Sequence, residues 1–171
     1  CTDPEANDYN PDALIDDGSC SYHAIQIGDY YQGGIVFYID STALYGLVSA
    51  TEDGGAYQWG CDLEWVGGTS TSIGTGMQNC ISITNNCGAT NCAAYQALQY
   101  ETEDYDDWYL PSKDELVTMN YTIGQGSELG NVAGFSNTWY WSSSENTGIR
   151  AWMICYSCGQ AQGSAHNLYK N

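Results

Sequence analysis

Positive charge is almost missing from this chain. Of its 171 residues only Lys113, Arg150 and Lys170 are basic, against 21 acids, for a formal charge of −18. A polyanion is repelled by such a surface at every approach, so nucleic-acid partners are excluded, and an anionic bilayer is no better. Histidine is nearly as scarce. His23 and His166 are the only two, each isolated in sequence and neither near a nucleophile motif such as GxSxG, so both read as surface or packing residues. The carboxylates offer no pair that an apolar pocket singles out as acid and base. The chain therefore reads as a non-enzyme with no catalytic residue. Long apolar runs are absent too: nothing approaches the roughly 20 residues of a membrane-crossing helix, which excludes membrane insertion. No signal peptide, internal repeat or low-complexity tract is seen, and the form reads as mature or trimmed.

What is present points to an oxidising compartment. Eight cysteines, an even number, accompany 20 glycines, a pattern of disulfides rather than of free cytosolic thiols. The location expected is extracellular or on a bacterial cell surface. All of Cys1, Cys20, Cys61, Cys80, Cys87, Cys92, Cys155 and Cys158 are disulfide candidates. Cys1 with Cys20 and Cys155 with Cys158 are the local pairs, and the other four are left to staple long loops. The Cys155-x-x-Cys158 spacing reads as a structural bond, since no helix follows to lower a thiol pKa. A zinc site from Cys87, Cys92, Cys155 and Cys158 fits by spacing but not by compartment.

The first twenty residues, CTDPEANDYNPDALIDDGSC, carry six acids and no Lys or Arg between two cysteines. Asp3, Asn7, Asp8, Asn10, Asp12, Asp16 and Asp17 supply hard oxygen ligands at close spacing, and Asn10-Pro11-Asp12 and Asp17-Gly18 supply turns to fold them round an ion. Residues 1–24 are accordingly expected to form a disulfide-closed segment that binds Ca²⁺, folding round an ion because it has too few apolar residues to fold round a core. A second acidic group, Glu101, Glu103, Asp104, Asp106 and Asp107, reads first as a solvated loop.

Residues 25–171 read as one α+β domain. "GGIVFYIDSTALYGLVSAT" is a hairpin signal. "EDGGAYQWGC" through "GGTSTSIGTGMQNC" lacks a sustained period and reads as loops. "ATNCAAYQALQYE" places Ala93, Ala94, Ala97 and Leu98 on one helical face. "LPSKDELVTMNY" carries a capping box, Ser112 and Glu115, and acids in its first turn. "TWYWSSSE", "IRAWMICYS" and "GSAHNLYK" predict a terminal antiparallel meander. Two helices, antiparallel strands and long disulfide-tied loops are thus expected.

The runs "IGDYYQGGIVFYID", "YGLVSA", "QWGC", "GTSTSIGTG", "DWYLPSKDEL" and "YWSSSE" followed by "AW", in that order over roughly residues 27–160, resemble the C-terminal domain of the Legionella collagen-like adhesin and the Fibrobacter succinogenes major paralogous domain. The opening segment is similar to a short Cys- and Asp-rich module of Bacteroidota surface proteins. The resemblance implies a C-type-lectin-like fold related to that of formylglycine-generating enzymes, without lending their activity. The calcium and sugar motifs of animal C-type lectins are absent. Members of the family also end on a strand reading like "VRAVRAF", whereas this sequence ends at "HNLYKN". Either the strand is cut off or a neighbour supplies it, and in the second case an open edge is expected beside Ile35 to Ile39.

Two functions follow as expectations. The first is a structural or adhesive module partnered by itself, head to tail in a filament, or by cell-surface and matrix components. The alternative is a glycan-binding module that uses its 6 Trp and 15 Tyr. Asn120-Tyr121-Thr122 is an N-linked sequon, and Asp40-Ser41-Thr42 resembles a Bacteroidota O-linked acceptor pattern with Ser41 and Thr42 as its hydroxyls, although three-residue patterns arise often by chance.

Overall fold

A computed structural model describes residues 1–4, 6, 9–21, 24–61, 64–102, 104–158 and 160–165, the last stretch as backbone only. Three helices and two small antiparallel sheets make a mixed α+β architecture. The first sheet orders its strands β1 (Tyr30–Tyr31), β2 (Gly34–Ile39), β3 (Gly46–Ser49). The hairpin forms as its composition predicts: Val36 and Phe37 are buried, and Asp40 ties the turn. The Asp40 carboxylate accepts from Thr42 N–H at 3.2 Å, Thr42 Oγ1 at 2.8 Å and Tyr45 N–H at 3.3 Å. Gly34 has no alternative, because a Cβ there would run into the Ser49 carbonyl and crowd Trp108.

Three helices follow. The first, α1 (Gly76–Cys87), begins in a stretch expected to be loop. Its N-cap Thr75 makes no side-chain cap bond and its first turn carries no acid, so the usual start signals are missing. What holds it is tertiary: Asn79, Cys80 and Ile83 are buried and Cys87 is bonded to Cys61. Gly88 ends it at φ 60°, donating to Thr84 O at 3.0 Å. Next come α2 (Ala93–Leu98) and α3 (Lys113–Thr122) where the sequence places helices. Three helices thus replace the two expected. The α3 capping box is present in full, with Glu115 N–H donating to Ser112 Oγ at 3.3 Å and Ser112 N–H donating to Glu115 Oε2 at 2.6 Å.

The second sheet runs β4 (Trp139–Thr147), β5 (Arg150–Cys155), β6 (Gln160–Ala165). Its last strand begins earlier than "GSAHNLYK", and residues 166–170 of that run lie outside the described residues. Apolar packing gathers in two clusters, one around Trp59, Cys80, Ile83, Ala94 and Trp141, the other around Phe37, Leu116, Ile123, Tyr140, Ile154 and Tyr156. Helix α3 touches both sheets.

The edge expected beside Ile35 to Ile39 is not open. β2 is the middle strand of its sheet. On the side away from β3, Gly28 N–H donates to Val36 O at 2.8 Å, Val36 N–H to Asp29 O at 2.9 Å and Thr122 Oγ1 to Phe37 O at 3.0 Å. The outer edge of β3 meets no other strand among the described residues.

Candidate functional site

The candidate calcium segment is closed by Cys1–Cys20, and none of its described residues lies in a helix or strand. Its acids organise it locally. Asn10 Oδ1 accepts from Asp12 N–H, Asp16 Oδ1 from Gly18 N–H and Asp17 Oδ1 from Ser19 N–H, each at 3.0 Å. The Ser19 bonds hold the Asp17 carboxyl below the usual range, because hydrogen bonds to the ionised form favour it. Asn7 and Asp8 lie outside the described residues, as do Glu103, His23 and His166. Asp3 is half-buried, and Asn10, Asp12, Asp16 and Asp17 are exposed. Among the described residues no three His, Cys, Asp or Glu side chains converge as a metal-holding group. Glu101, Asp104, Asp106 and Asp107 stand in water.

Three of the disulfide candidates' pairings are Cys1–Cys20, Cys61–Cys87 and Cys155–Cys158. Cys80 and Cys92, expected to staple loops, are instead buried free thiols. The Cys80 thiol is held between the two backbone groups of one residue, accepting from Leu110 N–H at 3.3 Å and donating to Leu110 O at 3.5 Å. Burial pushes its pKa up to about 12, so it sits as an inert thiol. With Cys87, Cys155 and Cys158 in disulfides, the four-cysteine zinc set has lost three of its thiolates. These disulfides, together with the absence of any helix long and apolar enough to cross a membrane among the described residues, are compatible with a secreted or extracellular protein.

The interior carboxylates hold loops. Glu115 is 0 % exposed, and Gly74 N–H donates to its Oε1 at 2.6 Å while Ser112 N–H takes Oε2. Gly76 is packed so closely against it and the Tyr109 ring that a Cβ has no room. Glu145 does the same for another loop, accepting from Val66 N–H at 2.8 Å and Gly67 N–H at 2.7 Å. Between them runs Ser142-Ser143-Ser144, all buried. Ser144 Oγ donates to Ser70 O at 2.7 Å and accepts from Lys113 N–H at 3.0 Å, and Asn79 Nδ2 donates to Ser143 Oγ at 3.1 Å. The "SSSE" run is therefore a cradle for the loop over residues 66–75. Asp53 has a similar task, accepting from Tyr140 Oη at 2.9 Å and Ser136 Oγ at 3.0 Å. Burial, then the Asp53 carboxylate, pushes the Tyr140 phenol up to about 12.

A cleft of about 1090 Å³ lies between the first sheet, α2 and the loop ahead of α3. Tyr45, Tyr57, Tyr100, Tyr105, Trp108 and Tyr109 line it, with Glu52, Asp53 and Asp107. No Lys or Arg is among its lining residues. The Trp108 indole N–H is buried and has no acceptor among the described residues. Two of the other tryptophans are core: Trp59 and Trp141 are buried and donate to Ser142 O at 2.7 Å and Tyr57 O at 3.2 Å. Trp65, by contrast, is 62 % exposed.

The two glycosylation candidates part company. Asn120 is 2 % exposed inside α3, with no room for a glycan while the helix is intact. Ser41 and Thr42 are exposed at the hairpin tip, where Thr42 Oγ1 is occupied by Asp40. Sequence reasoning missed the cleft, since its walls are assembled from segments far apart in the chain. It also missed the loop-holding roles of Glu115 and Glu145, whose partners lie 41, 78 and 79 residues away.

No known protein-family model matches the chain, and no characterised protein matches it closely enough to count as a relative.

Proposed function

We propose that this chain is a non-catalytic structural or adhesive module of the extracellular space or a bacterial surface, with a C-type-lectin-like domain behind a calcium-stabilised N-terminal segment, and that it assembles with copies of itself. The observation that carries the non-catalytic part is the use made of the acids that bond across the fold. Glu115, Glu145 and Asp53 all accept hydrogen bonds from loop backbone or from a neighbouring hydroxyl. Carboxylate oxygens taken up in such bonds hold the fold in place and are not presented to a substrate. Motif order along the chain supports the fold. The Asx turns at Asp16 and Asp17 leave the other carboxylate oxygen of each in the exposed N-terminal segment, which supports an ion there. Calcium would also lower the repulsion between subunits of charge −18. The test is sizing and negative-stain microscopy of the native protein with and without chelator. Large species that shrink on chelation are expected; a monomer at every concentration in calcium buffer overturns the assembly.

A second reading, a glycan-binding module, draws on exposed Trp65 and on the aromatic cleft, since aromatic faces stack on sugar rings. A glycan array tests it, with binding expected to vanish in Trp65→Ala or Trp108→Ala; silence on the array removes it.

A further inference from the structure

The disulfides are not alike. Cys155–Cys158 closes the shortest loop, a sequence separation of 3 against 19 for Cys1–Cys20 and 26 for Cys61–Cys87, so it removes the least entropy from the unfolded chain. The turn that it spans is closed without it, because β5 and β6 stay paired from Arg150 with Ala165 to Cys155 with Gln160. A bond that adds little to folding is, by the same thermodynamic cycle, one that folding does little to protect from reduction.

Its two sulfurs also stand in different places. Cys158 is exposed, alone among the bonded cysteines of the described residues, whereas Cys155 is 5 % exposed. Cys155 Sγ accepts from Cys158 N–H at 3.2 Å and lies 3.3 Å from Ser157 Oγ. A disulfide sulfur has no proton to give, so the hydroxyl is the donor. Burial of Cys155 works against a negative charge on its sulfur, and the two donors work for it. The Cys1–Cys20 bond has the opposite surroundings: Asp3 O is 3.8 Å from Cys1 Sγ and Asp16 Oδ1 is 3.7 Å from Cys20 Sγ, oxygens that repel a thiolate. Cys61 is buried in the cluster around Trp59. The Cys155-x-x-Cys158 spacing reads as structural for want of a following helix, but the turn itself supplies donors in the helix's place.

We propose that Cys155–Cys158 is a thiol–disulfide exchange site for a small thiol. The thiolate attacks the exposed Cys158 Sγ. The Cys155–Cys158 bond breaks, a mixed disulfide forms on Cys158, and the electron pair leaves on Cys155 Sγ, where Cys158 N–H and Ser157 O–H receive it. A second thiolate attacks the small thiol's sulfur in the mixed disulfide, which releases the small disulfide and leaves Cys158 reduced; two thiols are oxidised and the pair is reduced. A chain of charge −18 favours a cationic thiol over an anionic one. Each molecule is spent after one such event, so the site does not make the chain an enzyme, and it is independent of the assembly reading.

The test treats the native full chain with cysteamine, quenches it with excess N-ethylmaleimide in denaturant and maps every cysteine by mass spectrometry. Cys155–Cys158 is expected to open at about tenfold less cysteamine than either other disulfide. The early product carries cysteamine on Cys158 and the maleimide on Cys155. Cysteamine on Cys155 overturns the proposal, as does opening of Cys1–Cys20 or Cys61–Cys87 before or together with this pair. Ser157→Ala, at an exposed position, removes one donor, so exchange slows several-fold, and Ser157→Thr, which keeps a hydroxyl, restores it. An unchanged rate in Ser157→Ala overturns Cys155 as the leaving sulfur. The circular dichroism of the selectively reduced chain matches that of the oxidised one; a loss of strand signal on reduction makes the bond structural and overturns the proposal as well.

Discussion

In the first 21 residues Asp16 and Asp17 accept hydrogen bonds from backbone N–H groups two positions along the chain, whereas Glu115 and Glu145 draw in backbone N–H groups from loops 41 to 79 residues away. The residue chemistry is the same in both regions. The surroundings decide the outcome: an acid in water shapes its own turn and leaves its charge to be screened, while an acid out of water must be fully bonded and so fixes the path of whatever bonds it.

Four experiments test the contrast, beginning with the largest effect. Glu115→Ala leaves the N–H groups of Gly74 and Ser112 without their acceptor in a closed site, so a loss of about 3 kcal/mol or more in urea unfolding is expected; a loss below about 1 kcal/mol would show that water replaces the carboxylate. At the other pole, calcium at about 100 times its dissociation constant stabilises the native state by about 2.7 kcal/mol if only that state binds it. Melting temperature should then climb with free calcium in wild type and stay flat in Asp16→Asn with Asp17→Asn, and a flat response in both removes the ion. Glu145→Gln, at a half-buried site, is expected to cost about 1–2 kcal/mol, less than Glu115→Ala, because an amide oxygen keeps one of the two bonds.

The interior also has a pH limit that the acidic segment lacks. Cys80 and Tyr140 have ordinary values of 9.0 and 10.0 and folded values of about 12. A group that binds its proton more tightly when folded contributes stability that is complete below the unfolded value and fades as pH rises to the folded one. Unfolding free energy should therefore begin to fall near pH 9 and go on falling to pH 12, by about 1.4 kcal/mol at pH 10 from the thiol alone. Cys80→Ala should remove the first part of that fall relative to neutral pH, and an unchanged profile would clear the thiol of any part in it.

Local signals made the readable part of this fold readable. The Ser112 and Glu115 box starts α3 from within four residues of sequence, and the two β-rich runs on either side of the polar turn at Asp40 mark a hairpin without outside help. Helix α1 carries no such mark. Thr75 is a cap without a cap bond, Ile81, Ile83 and Thr84 are β-branched, and the segment is helical because its inner side packs on Trp59 and its end is bonded to Cys61. Free Cys80 was illegible for the same reason: even parity suggests eight partners, and only the distance between side chains decides which thiols meet. The calcium residues were read from spacing alone and the cleft from nothing, since Tyr45, Tyr57 and Trp108 converge only after three segments have packed.

The Cys1–Cys20 bond has a mechanical side. Tension entering at Cys1 crosses the sulfur bridge directly to Cys20 and bypasses the 19-residue separation between them, so about 60 Å of chain, at ~3.3 Å per residue, cannot pay out under load. Cys61–Cys87 shortens the extensible length in the same way over a separation of 26 residues. Pulled from its front end, the molecule is a short tether on a short leash, and a reducing agent would lengthen both.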